Sequence, residues 1–176
     1  THNGNFVQWL KISDNPTIDE AEPEILLSAL HHAREPMSVT QLLYFMWFLL
    51  ENYGTNAEVT YLIDNTEIYF VPIINPDGYI HNGTIAPGGG GMWRKNRRNN
   101  GDGTFGVDLN RNYDHQWGFS GTSTSTTSDV YMGPTPFSEP ETQSMRDFCI
   151  AHQFEMALNF HSYGDWLLHP FGYDYV

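Results

Sequence analysis

Residues 24–54 read EILLSALHHAREPMSVTQLLYFMWFLLENYG, and their apolar pattern changes period partway along. The first seven, 24–30, form a short Ile- and Leu-rich run suited to a strand buried on both faces. Further on, Val39, Leu42, Leu43, Met46, Leu49, Leu50 and Tyr53 recur at helical spacing, with Pro36 suited to the first turn and Gly54 to the stop. Between strand and helix sit His31, His32, Arg34 and Glu35, an odd place to concentrate costly polar groups. Pro36 biases Glu35 away from helical geometry. That places His32 and Glu35 in the turn at the carboxyl end of the strand, where open α/β sheets bind ligands.

Working outward, EIYFVPII (67–74) reads as a second buried strand, so the segment predicts a strand–helix–strand unit. Ser138 and Glu141 form a capping-box pattern ahead of Met145, Phe148, Cys149 and His152, an amphipathic helix followed by a third strand, FEMALNF (154–160). Strands alternating with helices point to an α/β layered domain. Cys149 falls on the apolar stripe of its helix and is expected to pack in the core. IAPGGGGM (85–92) and FSGTSTSTTSD (119–129) have the composition of surface loops, and a tight turn suffices to explain Asn75 and Asp77 in INPDGY. No repeat is present.

At 176 residues, 40% hydrophobic and 15% aromatic, the chain can bury a real core within one domain. Its net charge of -13, from 21 acidic and 8 basic side chains, argues against nucleic acid or an anionic membrane as partner, since both need a basic face. The longest apolar run, LLYFMWFLL (42–50), is nine residues, against the roughly 20 that span a bilayer. A single cysteine excludes an intrachain disulfide and fixes no redox compartment.

A histidine and a carboxylate three residues apart, as in His32 and Glu35, can close on one zinc ion, and a catalytic zinc uses three protein ligands and leaves a position open. His161 ends the strand 154–160; if that strand runs parallel to the others, its ring arrives at the same sheet edge. Taken alone, H-x-x-E is a weak signal, because satisfied polar turn residues explain it too. The chain holds a second copy, His152 and Glu155, which joins a helix tail to the next strand and reads as structural. Two further clusters accompany the first. MWRKNRRNN (92–100) gathers Arg94, Lys95, Arg97 and Arg98, four of the eight basic residues, into either a solvated loop or an oxyanion-binding segment. GVDLNRNYD (106–114) offers Asn110 and Arg111, able to hold a carboxylate, and Asp108, able to orient a metal-bound histidine.

Taken in order, HHARE, NPDGY, WRKNR, GVDLNRNYD, YMGPTPFSEPET and NFHSYGDWLLHPFGY resemble the zinc carboxypeptidases of the carboxypeptidase A type, and most closely their bacterial, carboxypeptidase T-like branch. The resemblance runs through nearly the whole chain. It implies a three-layer α/β fold with a central mixed, largely parallel sheet flanked by helices, residues 1–176 being a single partial catalytic domain, incomplete at both ends. It implies one Zn2+ ion held by His32, Glu35 and His161, with Asp108 hydrogen-bonded to His32. Arg94 becomes the oxyanion-stabilising arginine, Asn110 and Arg111 the grip on the substrate's terminal carboxylate, and Arg34 and Tyr163 the lining of subsites further along the peptide.

The implied substrates are peptide or protein C-termini, and the implied protein is secreted or periplasmic and monomeric when complete. Family members take their general-base glutamate and a mobile capping tyrosine from segments well beyond the last zinc histidine, whereas fifteen residues follow His161 here. That base is expected to lie outside this chain; Asp165 and Asp174 follow His161 and are the only stand-ins for it, and neither matches a family position with that role. The alternatives are a related zinc amidase acting on cell-wall peptides and a non-catalytic zinc- or peptide-binding module.

Overall fold

A computed structural model describes residues 1–170, so Asp174 and the last three residues of the NFHSYGDWLLHPFGY motif lie outside the described residues. The strands are β1 (Leu10–Ile12), β2 (Glu24–Ala29), β3 (Glu67–Val71) and β4 (Phe154–Phe160); the helices are α1 (Pro36–Asn52), α2 (Ala57–Ile63), α3 (Pro76–Ile85) and α4 (Pro140–Ala151). The strands form one sheet in the order β1-β3-β2-β4. β2 runs parallel to both β3 and β4, and β1 pairs antiparallel with β3. The sheet is therefore mixed and largely parallel, as expected.

Strand residues alternate between two apolar layers because successive side chains point to opposite faces. Leu27, Ala29, Ile68 and Phe70 pack with Leu42, Met46 and Leu49 of α1 and with Val59 and Ile63 of α2. Leu26, Tyr69 and Val71 pack on the other face with Leu109, Met145 and Phe148. Helices thus flank both faces. No helix of the described residues is long and apolar enough to cross a membrane.

The join between β2 and α1 is the part that positions the site. Leu30 takes a left-handed backbone conformation (φ 56°), uncommon for a residue with a Cβ, and this turns the chain sharply out of the strand. Its N–H donates to Ser38 Oγ at 3.3 Å, and that hydroxyl in turn donates to the Glu35 carbonyl at 2.7 Å. Pro36 occupies the first turn of α1. Glu35 stands at the N-cap, yet its carboxylate makes no capping bond, because it is engaged elsewhere.

Several expectations need correction. β3 ends at Val71 rather than at residue 74, where Pro72 removes the N–H that would extend the ladder. A short helix, α2, intervenes before β3; Asn56 caps it by accepting from the N–H groups of Glu58 and Val59. INPDGY is more than a tight turn: Asn75 caps the ten-residue α3 by accepting from Gly78 N, and its amide donates to the His31 carbonyl at 3.0 Å. The capping box is absent. Pro140 takes the first helical position of α4, which makes Glu139 the N-cap and puts Glu141 one residue too early to reach back. Cys149 is exposed rather than in the core, because Met145 and Phe148 carry the inward face of α4.

Candidate metal centre

β2 and β4 are parallel and in register through Ala29↔Phe160, so the residues that follow each strand emerge at one edge of the sheet. His32 and Glu35 come from the turn after β2, and His161 from the first position after β4. His32 Nδ1 lies 2.8 Å from Glu35 Oε1, and His161 Nδ1 lies 2.8 Å from Glu35 Oε2. The two Nδ1 atoms are 3.1 Å apart. One ligand atom from each residue falls within 4.8 Å of the other two. His32 and Glu35 are buried and His161 is half-buried, which leaves the cluster open on the His161 side. Two imidazoles and one carboxylate with their lone pairs converging are a donor set that fits zinc and leaves room for a further ligand.

The environment fixes how these groups are protonated. Burial pushes the His32 ring down, but hydrogen bonds to Asp108 and Glu35 outweigh it and hold the ring above its ordinary value. Burial raises the Glu35 carboxyl, yet the bonds from His161 and His32 win and keep it well below the usual carboxylate range. His32 Nε2 lies 3.1 Å from Asp108 Oδ1, an arrangement that puts the ring hydrogen on Nε2 and frees Nδ1 for a metal. Asp108 is fully buried and starts the 3-10 turn Leu109–Arg111, accepting from Asn110 N at 3.0 Å. Its other oxygen takes two bonds from Arg94, from Nε at 3.1 Å and Nη2 at 2.8 Å. Burial alone would raise the Asp108 carboxyl; His32 and Arg94 bring it to about 2. Arg94 Nη1 stands 3.7 Å from Glu35 Oε1, so this arginine borders the cluster.

The remaining expected residues are more scattered. Arg111 donates to the carbonyls of Gly121 and Asn110, at 2.8 and 2.9 Å, and Asn110 lies half-buried beside it in the turn that begins at Asp108. Arg34 pairs with Asp129 at 3.1 Å on the surface, and Tyr163 is fully exposed. Asp165 is exposed as well. His152 and Glu155, the second H-x-x-E, are tied to the start of β2: His152 Nδ1 is 2.6 Å from Glu24 Oε1, and Glu155 Oε2 accepts from Glu24 N at 2.8 Å. Their structural reading agrees with this.

Two features escaped the sequence reading. His31 is buried, its ring pushed down to about 3 by burial and by the neighbouring His161 and His32, and its nitrogens meet the side chains of Asn159 and Tyr113. The doubled histidine and the i, i−2 relation of Asn159 to His161 were the available signals. The second is a grouping of His2, Glu139 and Glu141 close enough to resemble a metal site. Glu139 there already accepts from four donors, His2 and Asn96 on one oxygen and Arg98 and Ser138 on the other, so no lone pair remains for an ion. That grouping clamps the first residues of the chain to α4.

Residues 1–176 match the family described as zinc carboxypeptidase. The chain is 39% identical over 154 residues to carboxypeptidase A2 of Rattus norvegicus, covering 86% of this chain and 36% of that protein. It is 35% identical over 181 residues to a zinc carboxypeptidase of Saccharothrix mutabilis subsp. capreolus, covering 99% of this chain and 41% of that one. Among solved structures, carboxypeptidase A from Helicoverpa armigera superposes with a TM-score of 0.77 at 36% identity, over 90% of this chain and 38% of the other. Thrombin activatable fibrinolysis inhibitor superposes with a TM-score of 0.85 at 30% identity, over 96% and 41%. The chain thus spans about two fifths of the length of these relatives. A family match along all 176 residues, with the zinc-type donor set assembled at the sheet edge, establishes that the chain belongs to the zinc carboxypeptidase family.

Proposed function

We propose that the whole protein is a metallocarboxypeptidase that hydrolyses the C-terminal peptide bond of peptides or proteins and releases single amino acids, residues 1–176 forming one partial catalytic domain. The observation that carries this reading is the convergence of His32, Glu35 and His161 with Arg94 and Asp108 beside them. His32 and His161 through Nδ1, and Glu35 through its carboxylate, hold the zinc ion. When bound, zinc polarises the scissile carbonyl and lowers the pKa of a water molecule. Asp108 keeps the His32 hydrogen on Nε2, and Arg94 meets the negative charge that develops on the carbonyl oxygen.

Asn110 and Arg111 grip the terminal carboxylate of the substrate. To do so Arg111 exchanges its two backbone carbonyl partners for a carboxylate, a stronger, charge-assisted acceptor. Arg34 and Tyr163 line subsites for residues further from the C-terminus. On this reading the chain also falls in the bacterial, carboxypeptidase T-like branch of the family. Relatives named as carboxypeptidases support this reading over an amidase of cell-wall peptides. On this reading the protein is monomeric and acts in a secreted or periplasmic setting.

The test is a pair of peptides, identical except that one ends in a free acid and the other in an amide. The full-length protein should remove residues one at a time from the acid, spare the amide, and lose the activity to a chelator. Equal cleavage of both peptides, or release of internal fragments, would reject an exopeptidase.

A further inference from the structure

We infer that Tyr113, His31 and Asn159 form a hydrogen-bond chain that positions His161, fixing its ring so that Nδ1 faces the metal. The inference rests on the zinc reading above and adds positioning residues to it.

His161 Nδ1 points into the cluster, toward Glu35 Oε2 and His32 Nδ1. Its other nitrogen, Nε2, lies 3.0 Å from Asn159 Nδ2, while Asn159 Oδ1 lies 3.0 Å from His31 Nδ1. A neutral imidazole that offers Nδ1 to a metal carries its hydrogen on Nε2 and needs an acceptor there. The Asn159 amide supplies one when it is turned by half a rotation about its last bond, exchanging Oδ1 and Nδ2, two atoms of nearly the same size; Ser28 Oγ, 3.4 Å from the end that faces His31, then accepts instead of donating. Its NH2 then donates to His31 Nδ1, which lies 3.0 Å from the other end of the amide. That bond sets the His31 tautomer: the remaining hydrogen sits on Nε2 and goes to the Tyr113 hydroxyl, 2.7 Å away. One chain of donors and acceptors therefore runs from Tyr113 to the ligand ring; it closes in either direction without a metal, and commitment of His161 Nδ1 to zinc selects this one.

Strand geometry places these groups. Asn159 lies in β4 and His161 two residues on, just past its end, while Ser28↔Asn159 pairing in the parallel ladder brings Asn159 alongside the end of β2, after which His31 emerges. The His31 ring stacks on that of His161, with centroids 5.9 Å apart and planes 23° from parallel. A buried imidazole is costly unless both nitrogens are satisfied. Here both partners of His31 lie on the route to the ligand or behind it.

The experiment uses the full-length protein and its Asn159→Ala, Asn159→Asp and Tyr113→Phe variants. Zinc affinity is measured by competition with a chromophoric chelator, and ligand geometry by the visible spectrum of the cobalt-substituted protein. Loss of an outer partner of a metal-bound histidine typically costs about 10–100-fold in metal affinity, and Asn159→Ala should fall in that range with shifted cobalt bands. Tyr113→Phe should weaken zinc only a few-fold. Asn159→Asp should bind like the parent, because a carboxylate accepts from His161 Nε2 and His31 Nδ1 while the Tyr113 hydroxyl turns to donate to His31 Nε2. Asn159 belongs to neither apolar layer of the sheet, so its two variants leave those core contacts in place. Parent affinity and spectrum in Asn159→Ala, or equal weakness of the Asp and Ala variants, would overturn the chain while leaving the zinc reading in place. A parent that binds no zinc would overturn both.

Discussion

Replacing Asp108 with Asn exchanges one heavy atom, a carboxylate oxygen for an amide nitrogen, and removes the group on which both His32 and Arg94 depend. The carboxylate is fully buried and accepts from His32 Nε2, Asn110 N and two nitrogens of Arg94. An amide has one oxygen for these four donors, so whichever way it turns, its NH2 opposes either His32 or Arg94. The size of the loss follows from the titration. The carboxyl sits at about 2 instead of its ordinary 3.8, burial being outweighed by His32 and Arg94. At about 1.4 kcal/mol per pH unit this corresponds to roughly 2–3 kcal/mol of stability at neutral pH. A depressed carboxylate contributes fully above its unfolded value, and the contribution disappears as the pH falls from about 4 toward 2. Urea unfolding of the zinc-free, full-length protein should therefore place Asp108→Asn roughly 2–4 kcal/mol below the parent at pH 7, with the gap narrowing by pH 3. Zinc affinity should drop on the order of tenfold or more, since His32 loses its orienting acceptor. A gap that is the same at both pH values, or below about 0.5 kcal/mol at pH 7, would refute the argument.

Three further outcomes are expected. His161→Ala should reduce zinc from near one per chain to a small fraction, and unchanged metal content would remove His161 from the ligand set. Arg111→Ala should lower kcat/KM far more for a free-acid peptide than for its amide, because only the acid has the charge to lose; equal damage would reject the clamp. Lys11→Met takes the cation from Glu67, a fully buried carboxylate on which Lys11 Nζ lies at 2.8 Å and which keeps the Glu20 N–H and the Tyr69 hydroxyl, so the cost at pH 7 should be about 1.5–3 kcal/mol, the range for a hydrogen bond to a charged group. Glu67 is held below its ordinary value, burial being outweighed by Lys11, Glu20 N–H and Tyr69, so the deficit should shrink as acid protonates it; urea midpoints at two pH values decide.

What the sequence disclosed about the fold depended on how far each signal was local. The change from a strand-like run to helical spacing at residues 24–54 located β2 and α1 to within a residue or so at the ends, because periodicity and Pro36 act on the chain directly. That β2, β3 and β4 run parallel follows from strands separated by helices, while their order, β3-β2-β4, is set by long-range pairing that the sequence does not display. α2 and α3 were missed: each is short, and each depends on an Asn cap, Asn56 and Asn75, that reads equally as a turn residue. The capping box at Ser138 failed because a proline inside the pattern moved the helix start by one position. Cys149 failed for another reason. A stripe on a helical wheel does not say how much of its width a neighbouring element covers.

The two H-x-x-E motifs show where the site became legible and where it stopped. His32 and Glu35 follow the carboxyl end of a parallel strand, and their side chains meet a third donor from the next strand over. His152 precedes β4 and Glu155 is its second residue, and both spend their polar atoms on Glu24 at the opposite edge. Spacing is identical in the two; the direction of the adjacent strand separates them, and strand direction was inferable from the alternation of elements. Asp108 was also inferable, because a carboxylate behind a ligating histidine is required chemistry. Its bond to Arg94 was not, because fourteen residues separate them and only the folded loop brings a guanidinium against that oxygen. His31 and Asn159 were hidden by the same arithmetic: 128 residues apart, they meet only through the β2–β4 ladder. The ligands of a metal centre can thus be read from local motifs, but the groups that aim those ligands are set by strand pairing, and substitutions at Asn159 probe that pairing more directly than substitutions at the ligands themselves.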